Sequence, residues 1–252
     1  MLHYWHDFTI WENMLVRTRV YLRRLLAAIG LLSVQIVLNV CLFILAIAAF
    51  SFLVKQIFFD RQELFDFRIF DWVANYVTPF NTSLMQTVTF LGTHKFLIPA
   101  NMLLTAYFLF IRKHRWYSIK VASIALSSTA IMLLLKNIFS RQRPLLPLLE
   151  PALGYSFPSG HSMMSFVFYG LLMYLAGKYI SNRWLKIATM TALLTLILLI
   201  GFSRIYLRVH YASDVLAGFF MGIAWLVFSI WILNRIERIS KATLQPVVED
   251  AH

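Results

Sequence analysis

Three polar clusters interrupt an otherwise apolar chain, and their residue types suit phosphate chemistry. The first runs from Lys136 to Arg143 and Pro144, the second is Pro158-Ser159-Gly160-His161, and the third runs from Ser203 and Arg204 to His210 and Asp214. Together they supply two imidazoles, a carboxylate and several fixed cations, a set able to hold a phosphate and break its ester bond. His210 and Asp214 are four residues apart, so on a helix they would share a face. The carboxylate could then accept the Nδ1 proton, fixing the tautomer and raising the nucleophilicity of Nε2. Taken alone, such a pair reads equally as a structural hydrogen bond. Ser159 is a good helix cap, and Gly160 lets backbone approach an anion closely. Amides at a helix start seat phosphate, and His161, next in line, would donate a proton to a leaving oxygen once the dianion is bound. Lys136 as a point charge and Arg143 as a planar fork both suit phosphoryl oxygens, and Arg204 would join them. Any one of these cations alone reads as snorkelling toward headgroups; the three clusters together reverse that. Two histidines and one carboxylate make a poor zinc site, so no metal and no cofactor are expected. Arg141 and Arg208, beside the clusters, are expected to contact headgroups or loops.

Membrane helices must position these clusters. Of 252 residues, 60% are hydrophobic and 13% charged, which fits a multi-span membrane protein far better than a soluble domain. The expected fold class is all-α: one membrane-embedded domain over residues 1–252, with about six spans of roughly 20 residues. The spans are expected at about 25–54, from between 84 and 96 to 111, at 117–135, from 161 to before Lys178, at 187–202 and at 215–233. Residues 1–24 carry Tyr4, Trp5, Phe8 and Trp11, then Arg17, Arg19, Arg23 and Arg24, and read as an interfacial segment. The apolar run after them exceeds a signal-peptide core, so no cleavage is expected. Residues 55–84 mix alternating charges with aromatics and read as an extracytoplasmic segment of short amphipathic helices, with a turn at Thr78–Asn81.

The net charge of +12 lies mostly beside the apolar runs, with no basic stripe on a soluble module, so no nucleic-acid partner is expected. With six spans, the cations around Arg112–Lys120, Lys178–Lys186 and Arg235–Lys241 fall on one side, which the positive-inside tendency makes cytoplasmic. Both termini are then cytoplasmic, and all three clusters meet at the extracytoplasmic face of a cell membrane. Cys41 is the sole cysteine, so no disulfide forms within the chain. Gly218-x3-Gly222 permits close helix packing within a monomer or between subunits, which leaves oligomeric state open.

In this order, Lys136-x6-Arg143-Pro144, Pro158–His161 and Ser203-Arg204-x5-His210-x3-Asp214 resemble the three-part signature of the type 2 phosphatidic acid phosphatases. These lipid phosphate phosphatases share a site with the vanadium-dependent haloperoxidases. The resemblance covers Lys136–Asp214 directly; Ala212 stands where many relatives have proline. It implies a metal-independent phosphatase in which His210 attacks phosphorus to give a phosphohistidine, Asp214 supports it and His161 protonates the departing oxygen. Lys136, Arg143, Ser159, Gly160 and Arg204 would hold the phosphate. The implied partner is a membrane lipid phosphate or pyrophosphate: an isoprenoid pyrophosphate such as undecaprenyl pyrophosphate, phosphatidylglycerol phosphate, or phosphatidate. The clusters see the phosphate and not the tail. A lipid-to-lipid phosphotransferase would use the same residues. A transporter or scaffold for anionic lipid would need neither a general acid nor a supported nucleophile, and the spans disfavour a haloperoxidase.

Overall fold

The computed structural model describes residues 18–21, 30, 34, 36–145, 147–148 and 154–249, and among these no strand occurs. The interfacial segment expected over 1–24 and the start of the first span lie largely outside the described residues. The chain divides into Met1–Leu42, whose described residues are helical, and Phe43–His252, which contains all three polar clusters. The helices are α1 (Ile36–Phe59), α2 (Leu64–Ala74), α3 (Pro79–Phe90), α4 (His94–Ala106, continued by a π turn to Ile111), α5 (Arg115–Phe139), α6 (Gly160–Tyr179), α7 (Arg183–Tyr206) and α8 (Ala212–Glu249).

Among the described residues, five segments are long and apolar enough to cross a membrane: α1, α3 with α4 as Pro79–Ile111, α5, α7, and α8 over Ala212–Thr243. Helix α6 is the sixth element of the expected set. Its 20 residues span about 30 Å at ~1.5 Å per residue, the thickness of a hydrocarbon core. It begins Gly-His-Ser and ends Gly-Lys-Tyr, so polar residues lie at both of its ends. Protein surrounds it: α6 packs on α4, α5, α7 and α8 and buries Met163, Val167, Phe168, Tyr169, Leu171 and Leu175. A helix sheltered in this way tolerates polarity that lipid would not.

The second span begins earlier than the sequence suggests. Thr78–Asn81, read as a turn, is a helix start: the Thr78 hydroxyl accepts from Asn81 N at 3.1 Å, and Pro79 takes the first helical position. Proline costs nothing there, because that amide has no intrahelical partner. Between α2 and α3 the chain is tied down by the Tyr206 hydroxyl, which donates to Tyr76 O and accepts from Thr78 N, both at 3.3 Å. Helix α2 is the amphipathic element between the first two spans. Asp66 and Val73 are buried on its inner face, while Leu64, Phe65, Phe67 and Trp72 are exposed and suited to a lipid interface.

Glycines set how closely the central helices approach. A Cβ at Gly218 would lie 2.7 Å from Ser159 O, and one at Gly222 would lie 2.9 Å from the Phe166 Cβ. Gly218-x3-Gly222 is therefore used inside the chain, seating α8 on α6 beside the polar clusters. At the far end of these helices, Lys120, which the sequence groups with the headgroup-facing cations, is instead buried and bonds Asn234 and Glu237 of α8. Because α5 and α7 end where α6 and α8 begin, all three polar clusters meet at one end of the bundle.

Candidate active site

The turn between α7 and α8 explains how the third cluster doubles back on itself. Helix α7 stops at Tyr206. Arg208 then takes a left-handed φ of 54°, and the Arg204 carbonyl accepts from both Val209 N (3.2 Å) and His210 N (3.3 Å). This returns His210 toward Arg204. The sequence suggests that His210 and Asp214 share a helical face, but His210 lies in the turn and only Asp214 belongs to α8. Asp214 reaches back to accept from Tyr211 N at 3.0 Å, as an acidic residue in a first helical turn can. The pair still meets: His210 Nδ1 lies 3.5 Å from Asp214 Oδ2. That is longer than a hydrogen bond, a spacing common in substrate-free sites that tighten on binding.

The other face of His210 fixes its tautomer. Arg143 Nη1 lies 3.2 Å from His210 Nε2. A guanidinium can only donate, so Nε2 accepts and the ring proton sits on Nδ1, facing Asp214. His210 is 2% exposed. Burial first, and then the charges of Arg143, Arg204 and Lys136, push its pKa well below the ordinary imidazole value. The ring is therefore neutral at pH 7 with its lone pair on Nε2, the form a nucleophile needs.

Arg143 is itself aimed by backbone, donating to Gly154 O (2.9 Å) and Val209 O (2.8 Å). Lys136, in the last turn of α5, donates to Tyr155 O. Gly160 opens α6 beside it, since a Cβ there would rest 3.7 Å from Lys136 Cε. The amides of Gly160 and His161 occupy the first two helical positions and so lack a carbonyl one turn back. His161 lies within electrostatic range of Arg204, His210, Arg143 and Lys136, and its Nε2 is buried without a hydrogen-bond partner. Ser159 is more committed. Its amide donates to Asp214 O at 2.9 Å, and its hydroxyl caps α6 while accepting from Ser162 Oγ at 2.9 Å. It joins α6 to α8, and its hydroxyl would have to turn away from Ser162 to reach a phosphate. All eight candidate residues thus gather at one end of α5–α8.

The profile of the PAP2 superfamily matches residues 116–238. Phosphatidylglycerophosphatase B of Bacillus subtilis (strain 168) is 31% identical over 147 residues, covering 58% of this chain and 71% of that protein. The chain belongs to the PAP2 superfamily. The solved structure of a transmembrane PAP2 type phosphatidylglycerolphosphate phosphatase from Bacillus subtilis matches with a TM-score of 0.69 at 27% identity, over 79% of this chain and 96% of that one. The crystal structure of Aquifex aeolicus LpxE matches with a TM-score of 0.51 at 25% identity, over 65% and 93%. This PAP2 protein is a multi-pass membrane enzyme, a lipid phosphate hydrolase.

Three residues of this PAP2 site escaped the sequence reading. Arg141, expected to touch headgroups or loops, is buried and ion-paired to Asp214 at 2.7 Å and to Asp66 at 3.0 Å. Asp66 arrives from α2. The available signal was its register: it shares the face of Ile69, Phe70 and Val73, where an acid needs a partner. Thr89, on α3, carried no signal. It is buried, and its hydroxyl accepts from Arg204 Nη1 at 2.8 Å. Thr89→Val keeps the shape and strands that guanidinium donor. We expect kcat/KM on a lipid phosphate to fall about tenfold or more and Thr89→Ser to restore it; an unchanged value in steady-state kinetics would release Thr89 from this role.

Proposed function

We propose that this enzyme hydrolyses its lipid phosphate or pyrophosphate through a phosphohistidine on His210, without a metal. The observation that carries this reading is the placement of the buried His210 ring, with Nδ1 3.5 Å from Asp214 Oδ2 and Nε2 3.2 Å from Arg143 Nη1. Substrate phosphate would draw Arg143 off Nε2 and expose the lone pair. The Nε2–P bond forms as the P–O bond to the lipid breaks, and His161 gives its proton to the departing oxygen. Water then attacks phosphorus and loses its proton to His161. The N–P bond breaks, the electron pair returns to Nε2, and inorganic phosphate leaves. Lys136, Arg143 and Arg204, with the Gly160 amide and the Ser159 hydroxyl, would hold the equatorial oxygens, where fixed charge does most of the work of phosphoryl transfer. Those cations also occupy the region in which a divalent ion would sit, and would repel it.

The whole chain then serves one phosphatase domain, with the site at the extracytoplasmic face and both termini in the cytoplasm. The cations at the opposite ends of the helices support that orientation. Among substrates, phosphatidylglycerol phosphate has the strongest support, because two of the three relatives matched over most of their length carry that activity in their names. Undecaprenyl pyrophosphate and phosphatidate present the same phosphate to the same residues.

The test is phosphate release from a panel of these three lipids by the detergent-solubilised enzyme in EDTA. Free phosphate should appear undiminished by the chelator, fastest from phosphatidylglycerol phosphate. Quenching in alkaline denaturing detergent should trap a base-stable phosphoenzyme that is lost on later treatment with acid. Loss of activity in EDTA, or phosphate recovered only on another lipid, would overturn the reading.

A further inference from the structure

The site holds a buried charge network that extends beyond the three motifs into α2. Asp66 is 1% exposed. Its Oδ1 accepts from Ser213 N at 2.8 Å, and its Oδ2 accepts from Ser213 Oγ at 2.6 Å and from Arg141 Nη2 at 3.0 Å. Arg141 Nη1 in turn donates to Asp214 Oδ1 at 2.7 Å and to Ser213 Oγ at 2.8 Å, and its guanidinium lies 4.1 Å above the Tyr211 ring. Two carboxylates from different helices thus share one arginine, beside the first turn of α8. Each also accepts a backbone amide at that helix start, where negative charge is favoured.

We propose that Asp66 and Arg141 are positioning residues for the His210–Asp214 pair, and that Asp66 offsets the charge of Arg141 so that Asp214 keeps its negative charge for His210. An arginine bound to Asp214 alone would neutralise it. Four other cationic or imidazole groups act on His210: Lys136 on α5, Arg143 on the link to α6, His161 on α6 and Arg204 on α7. Asp66 restores a net negative charge to the triad it forms with Arg141 and Asp214. The same bonds fix Asp214 in place, with Oδ1 held by Arg141 and Oδ2 left for Tyr211 N and His210. Because Asp66 sits on the inner face of α2, whose outer face exposes Leu64, Phe65, Phe67 and Trp72, the helix facing the lipid interface is bolted to the support of the candidate nucleophile.

The inference rests on the role proposed for His210, and its test separates the two. Asp66→Asn keeps the shape and removes one negative charge near His210. We expect kcat to fall about tenfold to a hundredfold with KM changed less than about threefold. The acid limb of the kcat/KM profile should move down by about one pH unit, because losing a negative neighbour lowers the pKa of the ring. Asp66→Asn/Arg141→Gln removes one charge of each sign, so the limb should return toward its wild-type position even though kcat stays low. A purely structural role predicts no movement of the limb in either variant, and that result overturns the proposal, as does a wild-type kcat in Asp66→Asn. If Asp66→Asn does not accumulate folded, the double variant decides: a limb displaced from the wild-type position contradicts charge balance. A phosphohistidine trapped from the wild type keeps the function reading intact whichever way these variants behave.

Discussion

His210→Ala is expected to lower phosphate release by about ten-thousand-fold or more while the protein remains folded in detergent. No second group can take over the attack. Asp214 is fully buried and bound to Arg141 and Tyr211 N, and His161 reaches the phosphate from a different helix. The phosphoenzyme trapped from the wild type should disappear in the variant. Retained turnover, or an undiminished trapped species, would show that another residue is the nucleophile. A pH profile adds a second check. In the proposed mechanism His210 attacks in its neutral form, and its pKa is pushed down by burial and by the surrounding cations. The rate should therefore hold as pH falls through the ordinary imidazole range and drop only below it. Stability follows the same sign. An unfolded chain takes up a proton on this histidine at about pH 6.5 and the folded one does not, so the folded state loses stability as pH falls from there toward the lowered pKa. Thermal unfolding of wild type and His210→Ala across that window should show the wild type losing more.

How much of this was legible beforehand follows from where the information lies. The spans could be read because bilayer thickness imposes a length and a composition on each, and the motifs could be read because phosphate chemistry needs scarce residue types at fixed spacings. The expectation that His210 and Asp214 share a helix failed on a detail that spacing does not encode. Arg208 adopts a left-handed conformation that glycine usually signals, so nothing marked the end of α7 two residues past Arg204. The pair met through a turn instead, and the chemistry read from it did not change. Asp66, Thr89 and Arg141 were missed for another reason. Their partners lie 147, 115 and 73 residues away, and a single chain carries no record of which distant residues become neighbours. Arg141 was the most misleading, since at a membrane surface an arginine two residues from a phosphate ligand looks like a headgroup contact. Burial between two carboxylates is visible only once α2 and α8 are in place.

The second large effect concerns His161, and it depends on the group that leaves. His161→Asn should cost about a hundredfold to ten-thousandfold on an alkyl phosphate such as phosphatidylglycerol phosphate, the range spanned by general-acid contributions. A lipid alkoxide departs poorly without a proton. On p-nitrophenyl phosphate the departing phenolate needs none, so in the first turnover the same variant should release it at most of the wild-type rate. An isoprenoid pyrophosphate should fall between, because its leaving phosphate is already a stable anion. The buried Nε2 of His161 motivates the comparison: among the described residues it has no hydrogen-bond partner, and in the proposed mechanism a substrate oxygen takes that place. The variant should also collect phosphoenzyme from p-nitrophenyl phosphate, since the same imidazole is needed to take a proton from the incoming water. Equal losses on all three substrates, with no phosphoenzyme building up, would mean that His161 only shapes the phosphate seat and that the departing oxygen draws its proton from elsewhere.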